Sequence, residues 1–127
     1  MRANKEYLVC KEIAAYLRER YPDVLFHFDL AGLNLSRAQA GMMKSIQGQR
    51  GFPDLLIIAP RRGFYNGLFL EIKAEGTKLC KQNGEFANEH IKEQYNYLLK
   101  LRSMGFIAQF AVGFDEAKRI IDDYLNT

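Results

Sequence analysis

At 127 residues the chain is long enough to bury one core, and a single domain spanning 1–127 is the expectation. Hydrophobic residues make up 48% and charged residues 26%, the balance of an ordinary globular protein, and no apolar run approaches the ~20 residues of a membrane helix. The net charge of +3 is too small to point to nucleic acid, so a basic surface has to be argued from local clusters.

The opening stretch, Met1-Arg2-Ala3-Asn4-Lys5-Glu6, has no signal-peptide core. Cys10 and Cys80 are too few for a disulfide framework and lack CxxC spacing, which argues against zinc. An intracellular, cytoplasmic protein with free thiols and no membrane association is the expectation.

Residues 5–20 read as an amphipathic helix with Val9, Ile13, Tyr16 and Leu17 on one stripe. Glu6 lies on that stripe too. Two readings stand: an acid favoured by the helix macrodipole, or an acid reaching a site. Tyr21-Pro22-Asp23 ends the helix, because the residue before proline disfavours the α conformation. Residues 24–28 form a short strand containing His27, and 31–34 a loop. Ser36 is placed to cap a short helix over 37–46, with Met42 and Met43 turned inward.

Two apolar runs follow, Leu55-Leu56-Ile57-Ile58 and Leu68-Phe69-Leu70-Glu71-Ile72-Lys73, and both read as buried strands. Each carries charge where a core strand should not. Asp54 stands at the mouth of the first. Glu71 and Lys73, two apart, share one face of the second. If 61–66 is the loop, Pro60 faces Gly67 and Asp54 falls opposite Lys73; a small slip puts it beside Glu71. Cross-strand Cβ atoms lie roughly 5 Å apart, so two carboxylates and an ammonium converge in either register.

A polar segment over 74–90 is long for a connection, as lids and binding elements often are. A helix over 89–104 stops at Gly105, with Ile91, Tyr95, Leu98 and Leu101 or Leu99 as its stripe and Gln94 among them. Phe106, Ala108, Phe110 and Val112 alternate as a last strand. Asp115 is placed to cap a final helix with Ala117, Ile120, Ile121 and Tyr124 inward. The fold class is α/β: a mixed central sheet flanked by helices, with a right-handed crossover over 67–113.

Pro53-Asp54, a spacer and Glu71-Ile72-Lys73 resemble the PD-(D/E)xK nuclease signature. The flanks Gly51-Phe52-Pro53-Asp54-Leu55 and Leu70-Glu71-Ile72-Lys73, with Gln94, Leu101, Gly105 and Glu6, look like the virus-type replication-repair nuclease (VRR-NUC) branch. The likeness runs from Glu6 to about Tyr124 and is greatest to small stand-alone phage-type members. Lys73 and Gln94 stand farther apart than in compact members. Gln82 is the other candidate for the motif glutamine, and Gln94 fits the spacing to Leu101 and Gly105 better.

The resemblance implies a restriction-endonuclease-like αβββαβ core and metal-dependent hydrolysis of DNA, leaving a 5′-phosphate and a 3′-hydroxyl. It also implies branched or junction substrates, in replication, recombination or repair, and a homodimer. Asp54, Glu71 and the Ile72 carbonyl suit Mg2+ or Mn2+, with Glu6 acting through water or on a second ion. Lys73 would orient the attacking water and stabilise charge, and Gln94 would hydrogen-bond the water or the phosphate.

The bland reading of Glu71 and Lys73 is a structural ion pair. Arg37, Lys44 and Arg50 are phosphate-contact candidates. The turn with Arg61 and Arg62 is a DNA grip, a solvated hairpin tip or a dimer contact. His27 and His90 are left outside the site. The alternative function is a DNA-binding accessory module that keeps the fold and does not cut.

Overall fold

The structure is a computed structural model that describes residues 2–29, 35–48, 51–61 and 65–126, with side chains from Lys5 onward. Arg50, Arg62 and the expected loop over 31–34 lie outside the described residues. Eight elements follow in the order α1 (Arg2–Arg20), β1 (Leu25–Phe28), α2 (Arg37–Ile46), β2 (Leu55–Ile58), β3 (Leu68–Lys73), α3 (Glu89–Ser103), β4 (Ile107–Val112) and α4 (Phe114–Leu125). No helix among the described residues is long and apolar enough to cross a membrane.

The sheet runs β1-β2-β3-β4. β1–β2 and β2–β3 are antiparallel, and β3–β4 is parallel across the α3 crossover. All six residues of β3 are buried, as its near-continuous apolar run requires. Period-2 alternation divides them between two cores. Leu68, Leu70 and Ile72 join Val9, Ile13 and Leu17 of α1 and Ala117, Ile120, Ile121 and Tyr124 of α4. Phe69 turns the other way, onto Leu98 and Leu101 of α3. Glu71 and Lys73 therefore project on the α3 face, two and four residues beyond Phe69.

The register settles the two arrangements left open by the sequence. Leu55 pairs with Leu70 and Ile57 with Leu68. Pro60 does not face Gly67; continuing the ladder puts Asp54 opposite Glu71. The reason is that the hairpin closes later than 61–66 suggests, since Arg61 and Tyr65 exchange both backbone hydrogen bonds at 3.1 Å. At Gly67 a Cβ would stand 2.7 Å from the Ile57 carbonyl oxygen, so only glycine allows the strands to approach there.

Three other expectations change, and the choice left open in α3 is settled. α2 is capped by a Ser36–Gln39 capping box, yet buries none of its residues, and Met42 is 70% exposed rather than packed inward. Periodicity tells which side chains share a face, not whether another element covers it. α4 starts at Phe114, one residue before Asp115, with Gly113 as its N-cap, because β4 runs almost directly into the helix. Asp115 and Glu116 occupy the first turn, where the macrodipole favours acids. In α3 the stripe continues through Leu101, and Leu99 is exposed. β4 does not alternate in burial, because both of its faces are packed.

Candidate active site

The site begins with a break in the β2–β3 ladder. The ladder ends at Leu55–Leu70, and its register carried on sets Asp54 against Glu71 and Pro53 against Ile72. Along β3 the odd-numbered carbonyls turn to β4, as Gly67 and Lys73 do toward the N–H groups of Ile107 and Gly113. The Ile72 N–H and C=O therefore turn to β2. Proline has no N–H to give the Ile72 carbonyl. The Ile72 N–H donates instead to Asp54 Oδ2 at 2.8 Å. The Asp54 backbone is pinned from the other side, where the Asp29 N–H donates to its carbonyl at 2.8 Å. Asp54 is thus fixed by both neighbouring strands.

Glu71 and Lys73 are 5% and 4% exposed, and Gln94 is 6% exposed. Gln94 Nε2 donates to Glu71 Oε1 at 2.7 Å, so α3 reaches back onto the strand that precedes it. Gln94 Oε1 is buried with no hydrogen-bond partner among the described residues. Burial first, and then the Asp54 charge, push the Glu71 carboxyl up to about 10, against the pull of Lys73. Burial also raises Asp54, while the Ile72 N–H, Glu71 and Lys73 hold it back. The two carboxyls share a hydrogen bond. Burial drives the nearby Cys10 thiol up to about 12, with Asp54, Glu6 and Glu71 adding to it.

These residues meet in one open cavity of about 550 Å³. Glu6, Asp54, Glu71, Lys73 and Gln94 all line it, Glu6 arriving from α1 on the other face of the sheet. Glu6 raises both Asp54 and Glu71, so it lies within electrostatic reach of the pair. Among the described residues no three His, Cys, Asp or Glu side chains cluster tightly enough to enclose a metal ion. A hard cation such as Mg2+ needs no such cage: one or two carboxylates, waters and a phosphate oxygen suffice. The donors fit that demand. Burial and mutual opposition disfavour ionisation of both carboxyls, which a divalent cation would offset, and the Ile72 carbonyl and Gln94 Oε1 offer further oxygens.

The other residues named from the sequence lie elsewhere. Arg37 and Lys44 are exposed on α2 and do not line the cavity. Arg61 is half-buried, and its Nη1 donates to the Pro60 carbonyl at 2.9 Å and its Nε to that of Leu125 at 3.4 Å. His27 and His90, set aside in the sequence, both line the cavity. So do Asp29, Phe52, Tyr97, Met43 and Ile46, which the sequence reading did not weigh as site residues. One signal was available for two of them: Phe52 is two residues from Asp54, and Tyr97 is one turn along α3 from Gln94.

No protein-family model matches the chain, and neither does any curated protein. Solved structures do. One described as a "VRR_NUC domain protein" superposes with a TM-score of 0.66 at 23% identity, covering 96% of this chain and 88% of its own. A second, described as a "VRR_NUC domain", has 26% identity and a TM-score of 0.49, covering 94% and 97%. The strand order, the crossover through α3 and the 0.66 superposition give this chain the fold of a VRR-NUC domain, a restriction-endonuclease-like αβββαβ arrangement.

Proposed function

We propose that the protein is a Mg2+- or Mn2+-dependent DNA endonuclease that hydrolyses phosphodiester bonds. The observation that carries this reading is the opposition of Asp54 and Glu71 at the proline break, with Lys73 beside them, in a cavity on a nuclease fold. Asp54, Glu71 and the Ile72 carbonyl would hold the ion, with Glu6 acting through water. Bound there, a divalent cation lowers the pKa of a water and offsets charge on the phosphate.

The chain's own groups do the rest. Lys73 is a buried point charge, suited to orient the attacking water and to stabilise the negative charge that builds on the phosphoryl oxygens. Gln94 holds Glu71 through Nε2 and keeps Oε1 available to accept from that water. Branched substrates and a homodimeric working form belong to the same reading. Both rest on the resemblance to small stand-alone members of the branch.

The test is cleavage of labelled four-way junction, flap and plain duplex DNA with Mg2+ or Mn2+, alongside Asp54→Ala and Lys73→Ala. The parent cuts and both variants do not. Cutting that survives both substitutions sinks the assignment. Binding without cutting on every substrate in Mn2+ assigns the chain to the accessory-module reading instead.

A further inference from the structure

The cavity that holds the acid pair is not polar throughout. Phe52, Tyr97, Met43 and Ile46 line it as well. The apolar groups adjoin the polar ones by construction: Phe52 precedes Asp54 by two residues, and Tyr97 follows Gln94 by one helical turn. Phe52 meets Phe69 and Tyr97 edge-to-face, at ring-centroid distances of 5.5 and 5.6 Å, and is still 44% exposed. Ile46 is 78% exposed, on a helix that buries none of its residues. Two large apolar side chains thus stand open at a cavity that also holds Glu6, Asp54, Glu71 and Lys73. Nothing within the described protein covers them.

The size of the cavity limits what enters. About 550 Å³ is a small-molecule volume. That volume is of the order of one nucleotide. A nucleotide whose phosphate meets the acids carries its base into the adjoining apolar part of the same cavity. Aromatic rings stack on any base, because every base offers a π-face.

We propose that Phe52 and Tyr97, with Met43 and Ile46 of α2, clasp one unstacked nucleobase beside the scissile phosphate, so that the strand to be cut is unpaired at that nucleotide. This rests on the nuclease reading for the word scissile and on the cavity alone for the clasp. It assigns the substrate class as single-stranded, gapped or locally opened DNA, with little preference among bases.

The experiment uses the full chain without divalent ion and a short oligothymidylate carrying one 2-aminopurine. Stacking quenches the fluorescence of that base. The parent and Phe52→Tyr quench it. Phe52→Ala loses the quenching and binds about tenfold more weakly, the loss expected of one base–aromatic stack. Ile46→Ser, at an exposed position that cannot unfold the core, loses part of the quenching. Equal quenching by parent, Phe52→Ala and Ile46→Ser overturns the proposal, as does a parent that does not quench. Cleavage of the same oligonucleotide with Mg2+ is scored separately, with Asp54→Ala as control. Quenching without cleavage of this oligonucleotide leaves the clasp standing and overturns the single-stranded substrate class, while the nuclease reading is decided on the junction, flap and duplex panel; cleavage without quenching overturns the clasp.

Discussion

Two carboxylates in this molecule receive opposite treatment. Asp122, on α4, accepts from the hydroxyls of Tyr16 at 2.6 Å and Tyr21 at 2.7 Å and from Lys118 Nζ at 3.2 Å. Burial alone would raise it, but these donors outweigh burial and hold it below the usual carboxylate range. Glu71 has one amide donor and faces another acid, and it is driven far upward. The first is a clamp joining α4 to α1 and the end of its turn. The second is a buried carboxyl whose surroundings favour its protonated form. Partners, rather than burial, separate a structural carboxylate from a chemical one. An acid pair that serves the proposed cation site is expected to look unfavourable without the ion.

The sharpest way to break this comparison is to neutralise each acid. Glu71→Gln is expected to lower cleavage by on the order of 10³-fold, the scale of losing a group that stabilises charge in the transition state. The same change is expected to raise metal-free stability by about 1 kcal/mol, because it removes a buried carboxyl opposed to Asp54. Asp122→Ala is expected to do the reverse. Cleavage stays within about twofold, while stability falls by about 2 kcal/mol as two hydroxyls lose a charged acceptor. Urea unfolding and a cleavage assay on the same preparations decide both. If Glu71→Gln destabilises and still cuts, Glu71 is the structural acid.

The pH dependence sharpens the contrast, because the two shifts have opposite signs. Glu71 has its folded pKa raised, so the native state binds a proton that the unfolded state releases above about 4.5. Metal-free stability is therefore expected to fall as pH rises from there toward about 10, by at most about 1.4 kcal/mol per pH unit. Asp122 has its folded pKa lowered. Its contribution is present above its ordinary value of 3.8 and is lost as pH falls through the folded value. Unfolding measured across pH in parent, Glu71→Gln and Asp122→Ala separates them. Glu71→Gln flattens the slope above about pH 5 and leaves the acid limb, and Asp122→Ala shrinks the acid limb only.

Much of this arrangement was legible in the chain. Period-2 alternation alone puts Glu71 and Lys73 on one face, and the 3.6 period puts Gln94 on the buried side of α3. The element order followed from the same periods. What stayed hidden depends on contacts distant in sequence. The register depends on where the hairpin closes, so opposition to Lys73 or to Glu71 was undecidable from the strands themselves. The proline break could be read only once that register was known. The Asp122 clamp was not legible, because Tyr16 and Tyr21 lie 106 and 101 residues away. α2 shows the converse failure: its apolar stripe was legible, but not that none of its residues would be fully buried.

The smallest expected effect concerns Arg61, read from sequence as a DNA grip, hairpin tip or dimer contact. β2 begins beside Asp54 and runs toward Arg61, so seven residues at roughly 3.3 Å each put Arg61 on the order of 20 Å from the acids. At that end the protein is fastened to itself. Arg61 donates to the Leu125 carbonyl in the last turn of α4, where the macrodipole favours a cation, and the Tyr124 hydroxyl donates to the Ala59 carbonyl beside it. Arg61→Ala is accordingly expected to cost about 0.5–1 kcal/mol of stability, on the low side because the Leu125 contact is long at 3.4 Å. Cleavage and the salt dependence of DNA binding should not move. A shallower salt slope with unchanged unfolding would mean that this guanidinium contacts phosphate after all. The far end of the hairpin would then be part of the DNA surface rather than a fastening for α4.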